Sequence, residues 1–175
     1  MPLSLQPTSL DRVRDTFINV LFAKERAAKL FYDRLFTLAP ETRALFRDDL
    51  EEQGRMFVEA LSRIVTGLDR LENMIPELQA LAGRHVCYCV EERHYAIVGK
   101  ALLHMVYELS DPAFDVDTQI AWAEAYGLIS KAMIEASHFE RPQSGDSEYF
   151  TVRSATVKSR PQLSGSDPAS PAPIQ

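Results

Sequence analysis

The sequence predicts an all-α fold of six to eight unequal helices. Three observations predict it. Apolar residues recur three and four apart through nearly every stretch up to about residue 137. No alternating run in that span is long enough to read as a half-buried strand. The links between stripes are short and marked by Pro, Asp and Ser. A hydrophobic share of 46% over 175 residues suits one domain with a sizeable core plus a tail. The pattern alone does not say which all-α fold this is.

Ser9 is placed to cap the first helix, with Asp11 in its first turn, and Leu10, Val13, Phe17, Val20 and Leu21 form its stripe. Lys24, Glu25 and Arg26 interrupt the stripe. A second helix carries Ala28, Leu30, Phe31, Leu35 and Phe36, holds Tyr32, and stops before Pro40. Pro40 opens a short helix, PETRALF, ending near Phe46. RDDLEEQ is acidic and suits a loop leading into a helix start. The clearest stripe follows: Phe57, Leu61, Ile64, Val65 and Leu68, with Arg55, Glu59, Arg63 and Asp69 off it. Gln53 lies one turn before Phe57, on the same side.

LENMI reads as a link to a short helix opening at Pro76, whose buried face holds Leu78, Leu81 and His85. A break at VCYCVEER precedes a helix opening at Tyr95 with Val98, Leu102, Met105 and Leu109, closed by Ser110-Asp111-Pro112. Asp115 or Asp117 starts the last helix, whose stripe is Trp122, Tyr126, Ile129 and Met133. Residues 138–175 are rich in Ser and Pro, hold half of the ten prolines and have no amphipathic period. They read as a flexible tail, disordered over its last dozen or so residues, with EYFTV as its one β-like run.

Net charge is −6, with no long basic run, which argues against nucleic acid or an anionic membrane as partner. No apolar stretch approaches the roughly 18 residues of a membrane span. The N-terminus lacks a basic start followed by an apolar block, so it does not read as a signal peptide. Cys87 and Cys89 are too close for a useful structural disulfide and too few for a zinc site. They read as reduced thiols in a cytoplasmic protein. Imidazole is a preferred ligand of iron. From spacing alone, His85 is open to two roles, a packed core histidine or a metal ligand.

Assembled in order, the chain resembles a bacterial single-domain globin, similar to the haem domain of flavohaemoglobins, over roughly residues 8–137. LFYDRLFTLAPETRALF, GRHVCYCVEERHYAIVGKALL and WAEAYGLI carry the resemblance together. It implies a globin fold around a pocket for haem b, with His85 as proximal ligand to the iron. Tyr32 and Gln53 match the distal pair that holds dioxygen. Phe46 matches the ring that wedges against the porphyrin, Phe57 and Val98 match residues beside it, and Tyr95 matches a tyrosine that orients the ligand histidine. His94 matches a position preceding the helix that is not a ligand.

The roles have a physical basis. A phenol donates a strong hydrogen bond to a polar diatomic ligand in a dry pocket, and an amide can do the same. An acceptor for the second imidazole nitrogen makes the first a stronger donor to metal. There are two departures. Ser137 stands where oxygenase relatives carry a glutamate, with Glu135 facing elsewhere. Phe57 replaces the usual leucine, and its ring narrows the pocket and screens ligand entry. The residues after Ser137 are too few for a flavin or nicotinamide domain, so a separate reductase is the implied electron source. The function implied is reversible binding of dioxygen, with oxygen transport or nitric oxide dioxygenase activity and nitric oxide detoxification. Nitric oxide and carbon monoxide are further ligands, and a homodimer is implied by analogy. The alternative is a haem-based gas or redox sensor that signals through the tail or the Cys87/Cys89 pair.

Overall fold

The computed structural model of the chain describes residues 5–46, 49–87 and 90–140. Among the described residues there are six α-helices and two short 3-10 segments, and no strand. Of the tail predicted over residues 138–175, residues 138–140 continue the last helix, and residues 141–175, EYFTV included, lie outside the described residues, as does Cys89.

Helix α1 spans Pro7–Phe22. It begins two residues before Ser9, because Pro7 takes the first helical position, where a missing N–H costs nothing. Ser9 is therefore not its cap; its hydroxyl donates to the Glu124 carboxylate at 3.1 Å. Val13, Phe17 and Val20 are buried as their spacing predicts, whereas Leu21 is exposed. Ala23 breaks the axis, and α2 runs Lys24–Leu38. A 3-10 segment, Pro40–Leu45, delivers Phe46.

Helix α3, Leu50–Gly67, starts where the acidic run predicts. The Asp49 carboxylate accepts from the Glu52 amide at 2.9 Å, satisfying one of the free N–H groups of the first turn. A 3-10 turn, Leu68–Arg70, passes directly into α4, Leu71–Cys87. Here the expected link and helix start at Pro76 are corrected: the helix begins five residues earlier and Pro76 lies inside it. Leu68 and Leu71 are both 2% exposed, so core burial holds this segment helical, while proline in the second turn removes only one backbone bond.

Helix α5, Glu92–Ser110, likewise opens before Tyr95. Its start is a reciprocal cap: the Glu91 side chain accepts from the His94 amide, and the Glu91 amide donates to His94 Nδ1 at 3.0 Å. Helix α6, Val116–Glu140, is launched by Asp115, whose carboxylate accepts from the Thr118 amide at 2.7 Å. It continues past Ser137.

The helices pack in pairs: α2 lies against α3 and α5, α4 lies against α6, and α1 crosses α3, α5 and α6. The core centres on fully buried Val13, Val20, Leu35, Met105 and Val106. Trp122 is core, as its place in the α6 stripe predicts, and its indole N–H donates to Thr16 Oγ1 at 2.9 Å across the α1–α6 contact. Among the described residues no helix is long and apolar enough to cross a membrane.

Candidate functional site

Two clusters of side chains hold the residues singled out from the sequence. The first is built by α2, the Pro40–Leu45 segment and α3. Tyr32 projects from α2 into the core at 6% exposure, edge-on to Phe46, with ring centroids 5.2 Å apart. Phe36 stacks on Tyr32 at 5.8 Å and meets Phe46 at 5.5 Å, with the Arg43 guanidinium over the outer face of the group. Phe57, one turn after Gln53 on α3, lies 6.1 Å from the Tyr32 ring. The helices approach closely here because Gly54 has no side chain: a Cβ on it would stand 2.6 Å from that of Ala28.

The polar atoms of this cluster are poorly satisfied. The Tyr32 hydroxyl donates to the Gln53 carbonyl oxygen over a long 3.4 Å. The Gln53 side-chain Oε1 is buried with no partner. A buried amide oxygen left unpaired costs free energy, and such atoms concentrate where a ligand or water completes the network. Burial also pushes the Tyr32 phenol up to about 12, so it remains a neutral donor across the physiological range.

The second cluster is on α4 and α5. His85 sits in the last turns of α4, and its Nδ1 faces the Leu81 carbonyl oxygen at 2.8 Å. A carbonyl can only accept, so Nδ1 carries the proton and Nε2 carries the lone pair. Burial, with the nearby Arg84 charge, lowers the His85 pKa against the opposing Leu81 bond, so the neutral form is favoured. The Tyr95 ring lies nearly parallel to the imidazole, centroids 6.2 Å apart. Val98, half-buried, follows one turn along α5 and packs on the core. Since α3 packs on α4 and α2 on α5, both clusters sit on paired helices of one bundle.

The haem implied by the resemblance fits these residues. One neutral imidazole with a fixed tautomer offers one lone pair, the requirement of a metal whose other ligands come from a macrocycle. Among the described residues no group of three or more His, Cys, Asp or Glu is placed to hold a bare metal ion. The half-buried, apolar Phe46, Phe57 and Val98 suit a flat hydrophobic group, and the unpaired Gln53 oxygen marks an incomplete polar network.

Two residues to which sequence reasoning gave no role in the site, Tyr126 and Gly99, belong here. The Tyr126 hydroxyl donates to the Tyr95 carbonyl oxygen at 2.6 Å. Burial, then the neighbouring Tyr95, raises the Tyr126 pKa. Its ring lies against Gly99, where a Cβ would come within 2.7 Å of it. A glycine inside a helical stripe was the available signal for that close approach. His94 is not outside the helix but buried within its first turn, with Nε2 unpartnered. Ser137 is buried and donates to the Ile134 carbonyl oxygen of its own helix at 2.7 Å, while Glu135 is exposed near Lys131.

The globin family model matches residues 29–133, more than half of the chain. A flavohemoprotein of Vibrio cholerae is 30% identical over 139 residues, which cover 74% of this chain and 35% of that protein. An uncharacterized globin-like protein of Aquifex aeolicus is 34% identical over 103 residues, 59% of this chain and 73% of its own length. The chain thus spans about a third of the flavohemoprotein. Among solved structures, a bacterial globin from Campylobacter jejuni matches with a TM-score of 0.69 and 28% identity, covering 77% of this chain and 97% of its own. Fold, site geometry and similarity converge: the chain belongs to the globin family.

Proposed function

We propose that this globin binds haem b through His85 and holds dioxygen reversibly beside Tyr32 and Gln53. Given electrons from a separate reductase, it turns over nitric oxide to nitrate. The observation that carries the reading is the His85 tautomer, fixed by the Leu81 carbonyl so that Nε2 offers its lone pair. The similarity to flavohemoproteins supports the choice of haem.

Haem, when bound, supplies the iron at which a diatomic gas binds and through which an electron is delivered. The chain's residues do the rest. Leu81 and Tyr95 orient the imidazole. Tyr32, kept neutral by burial, offers its hydroxyl proton once it releases the long bond to the Gln53 carbonyl. The Gln53 side chain, its oxygen unpaired, is free to turn its amide toward the same partner. The aromatic rings around them exclude water, which strengthens each of these bonds. In the net reaction, nitric oxide, dioxygen and one electron give nitrate.

The test is rapid mixing of the oxygenated ferrous protein with nitric oxide, followed by absorption and nitrate analysis. Stoichiometric nitrate with formation of the ferric protein supports the oxygenase reading. Stable oxygenated protein that never yields nitrate leaves reversible carriage as the function.

A further inference from the structure

The aromatic cluster contains one contact that neither the fold nor the proposed chemistry requires. Phe31 and Phe57 stack with centroids 4.1 Å apart and planes only 17° from parallel. Phe31 is 4% exposed and its ring also meets Tyr32 edge-on at 5.2 Å, so it is held on two sides. Phe57 is half-buried, on the same side of α3 as Gln53. A ring at the margin of the core would ordinarily sample rotamers. Stacked face to face on an immobile neighbour, it loses that freedom.

We propose that Phe31 is a positioning residue that sets ligand specificity: by fixing Phe57 it makes a rigid aromatic wall beside Tyr32 and Gln53, which passes diatomic gases and excludes ligands the size of an imidazole ring or larger. The inference rests on the proposed function, because it takes Tyr32 and Gln53 as the gas-binding side. It extends that function by assigning the ligand class and the residue that enforces it. Diatomics need only a small transient parting of the two rings. A five-membered heterocycle needs Phe57 to leave the stack altogether, and Phe31, buried and packed edge-on against Tyr32, holds it there. Among the described residues, Arg43 over Phe36 and the Phe36–Phe46 contact cover the neighbouring flank.

The test compares the full haem-loaded chain with Phe57→Leu and Phe31→Leu. Imidazole is titrated against the ferric form, and carbon monoxide association is timed in the ferrous form. Imidazole affinity should rise by about tenfold or more in both variants, the scale of opening a hydrophobic pocket by a few methylenes. Carbon monoxide association should change by less than imidazole affinity, a size dependence that simple loosening of the core does not produce. Phe57→Tyr, which keeps the ring, should retain the wild-type selectivity. The proposal is overturned if Phe57→Leu binds imidazole no better than wild type, or if a folded Phe31→Leu keeps wild-type selectivity. Phe57→Leu changes a half-buried position and keeps the test decisive should the buried Phe31→Leu change unfold the chain. Wild type that binds carbon monoxide and also binds imidazole tightly overturns this inference alone. Wild type that takes up no haem overturns the functional reading beneath it as well.

Discussion

The Tyr126 hydroxyl holds the Tyr95 carbonyl oxygen at 2.6 Å, and the same ring fills the space left by Gly99 one turn further along α5. One side chain of α6 thereby fixes the start of the helix that carries Tyr95 beside His85. A methyl at position 99 would stand 2.7 and 2.9 Å from two ring carbons of Tyr126, and this ring is no flexible chain end that can swing away. Gly99→Ala should therefore destabilise the fold by about 1–3 kcal/mol, as overpacking does. Tyr126→Phe should cost about 1 kcal/mol for the lost bond. Urea melts of the two variants check the order; equal stability of Gly99→Ala and wild type would contradict the packing described.

Tyr32 is a neutral donor because burial raises its pKa from the ordinary 10.0 to about 12. A raised folded-state pKa means that the neutral form is favoured by folding. The associated stability is present below pH 10 and is lost as pH climbs from 10 toward 12. Tyr32→Phe should lose less stability than wild type over that window. In the haem-loaded protein the same variant should release dioxygen about tenfold faster, the scale of one hydrogen bond. Unchanged release would show that Tyr32 is not the donor.

Asp115 links the start of α6 to α1. Its carboxyl is held well below the usual 3.8, at about 2, by the Thr118 hydroxyl and amide first and by Arg12 second. With the folded value depressed, the stabilisation is present above pH 3.8 and disappears as pH falls toward 2. Asp115→Asn should flatten the acid limb of the stability profile between those values. An identical acid limb in the variant would mean that the cap contributes nothing. The effect should be modest, because the Arg12 pairs are solvent-exposed.

The indole of Trp122 and the hydroxyl of Thr16 form a buried polar pair at the α1–α6 contact. Thr16→Val keeps the shape but leaves the indole N–H without its acceptor, which should cost about 1–3 kcal/mol. Thermal unfolding followed by the fluorescence of this single tryptophan reports the loss directly. Wild-type stability in Thr16→Val would mean that the bond is dispensable.

Much of this was legible in the residues. The α3 stripe, the acidic start before Leu50 and the stop at Ser110-Asp111-Pro112 follow from periodicity and capping, which are local. The start of α4 was not, because Pro76 is a strong local start signal and only the tertiary burial of Leu68 and Leu71 carries the helix back past it. His94 was misplaced for a related reason: its ring caps α5 through the Glu91 amide, a role its residue type does not announce. In the site, spacing placed His85 on a buried face and the resemblance singled out Tyr32 and Gln53, but the partners of His85 and Tyr32 are main-chain carbonyls of Leu81 and Gln53, which no side-chain pattern encodes. The stack of Phe31 on Phe57 needs the relative rotation of α2 and α3, which is set by packing at Gly54 and Ala28.

The most direct test of the central claim is the absorption spectrum of the full chain reconstituted with haem, ferrous and then with carbon monoxide, for wild type, His85→Gly, and His85→Gly with added imidazole. If Nε2 of His85 is the ligand, wild type gives a Soret band that shifts with carbon monoxide. His85→Gly weakens or alters that band, and free imidazole restores it. A His85→Gly spectrum indistinguishable from wild type would assign the iron to another residue and contradict the account.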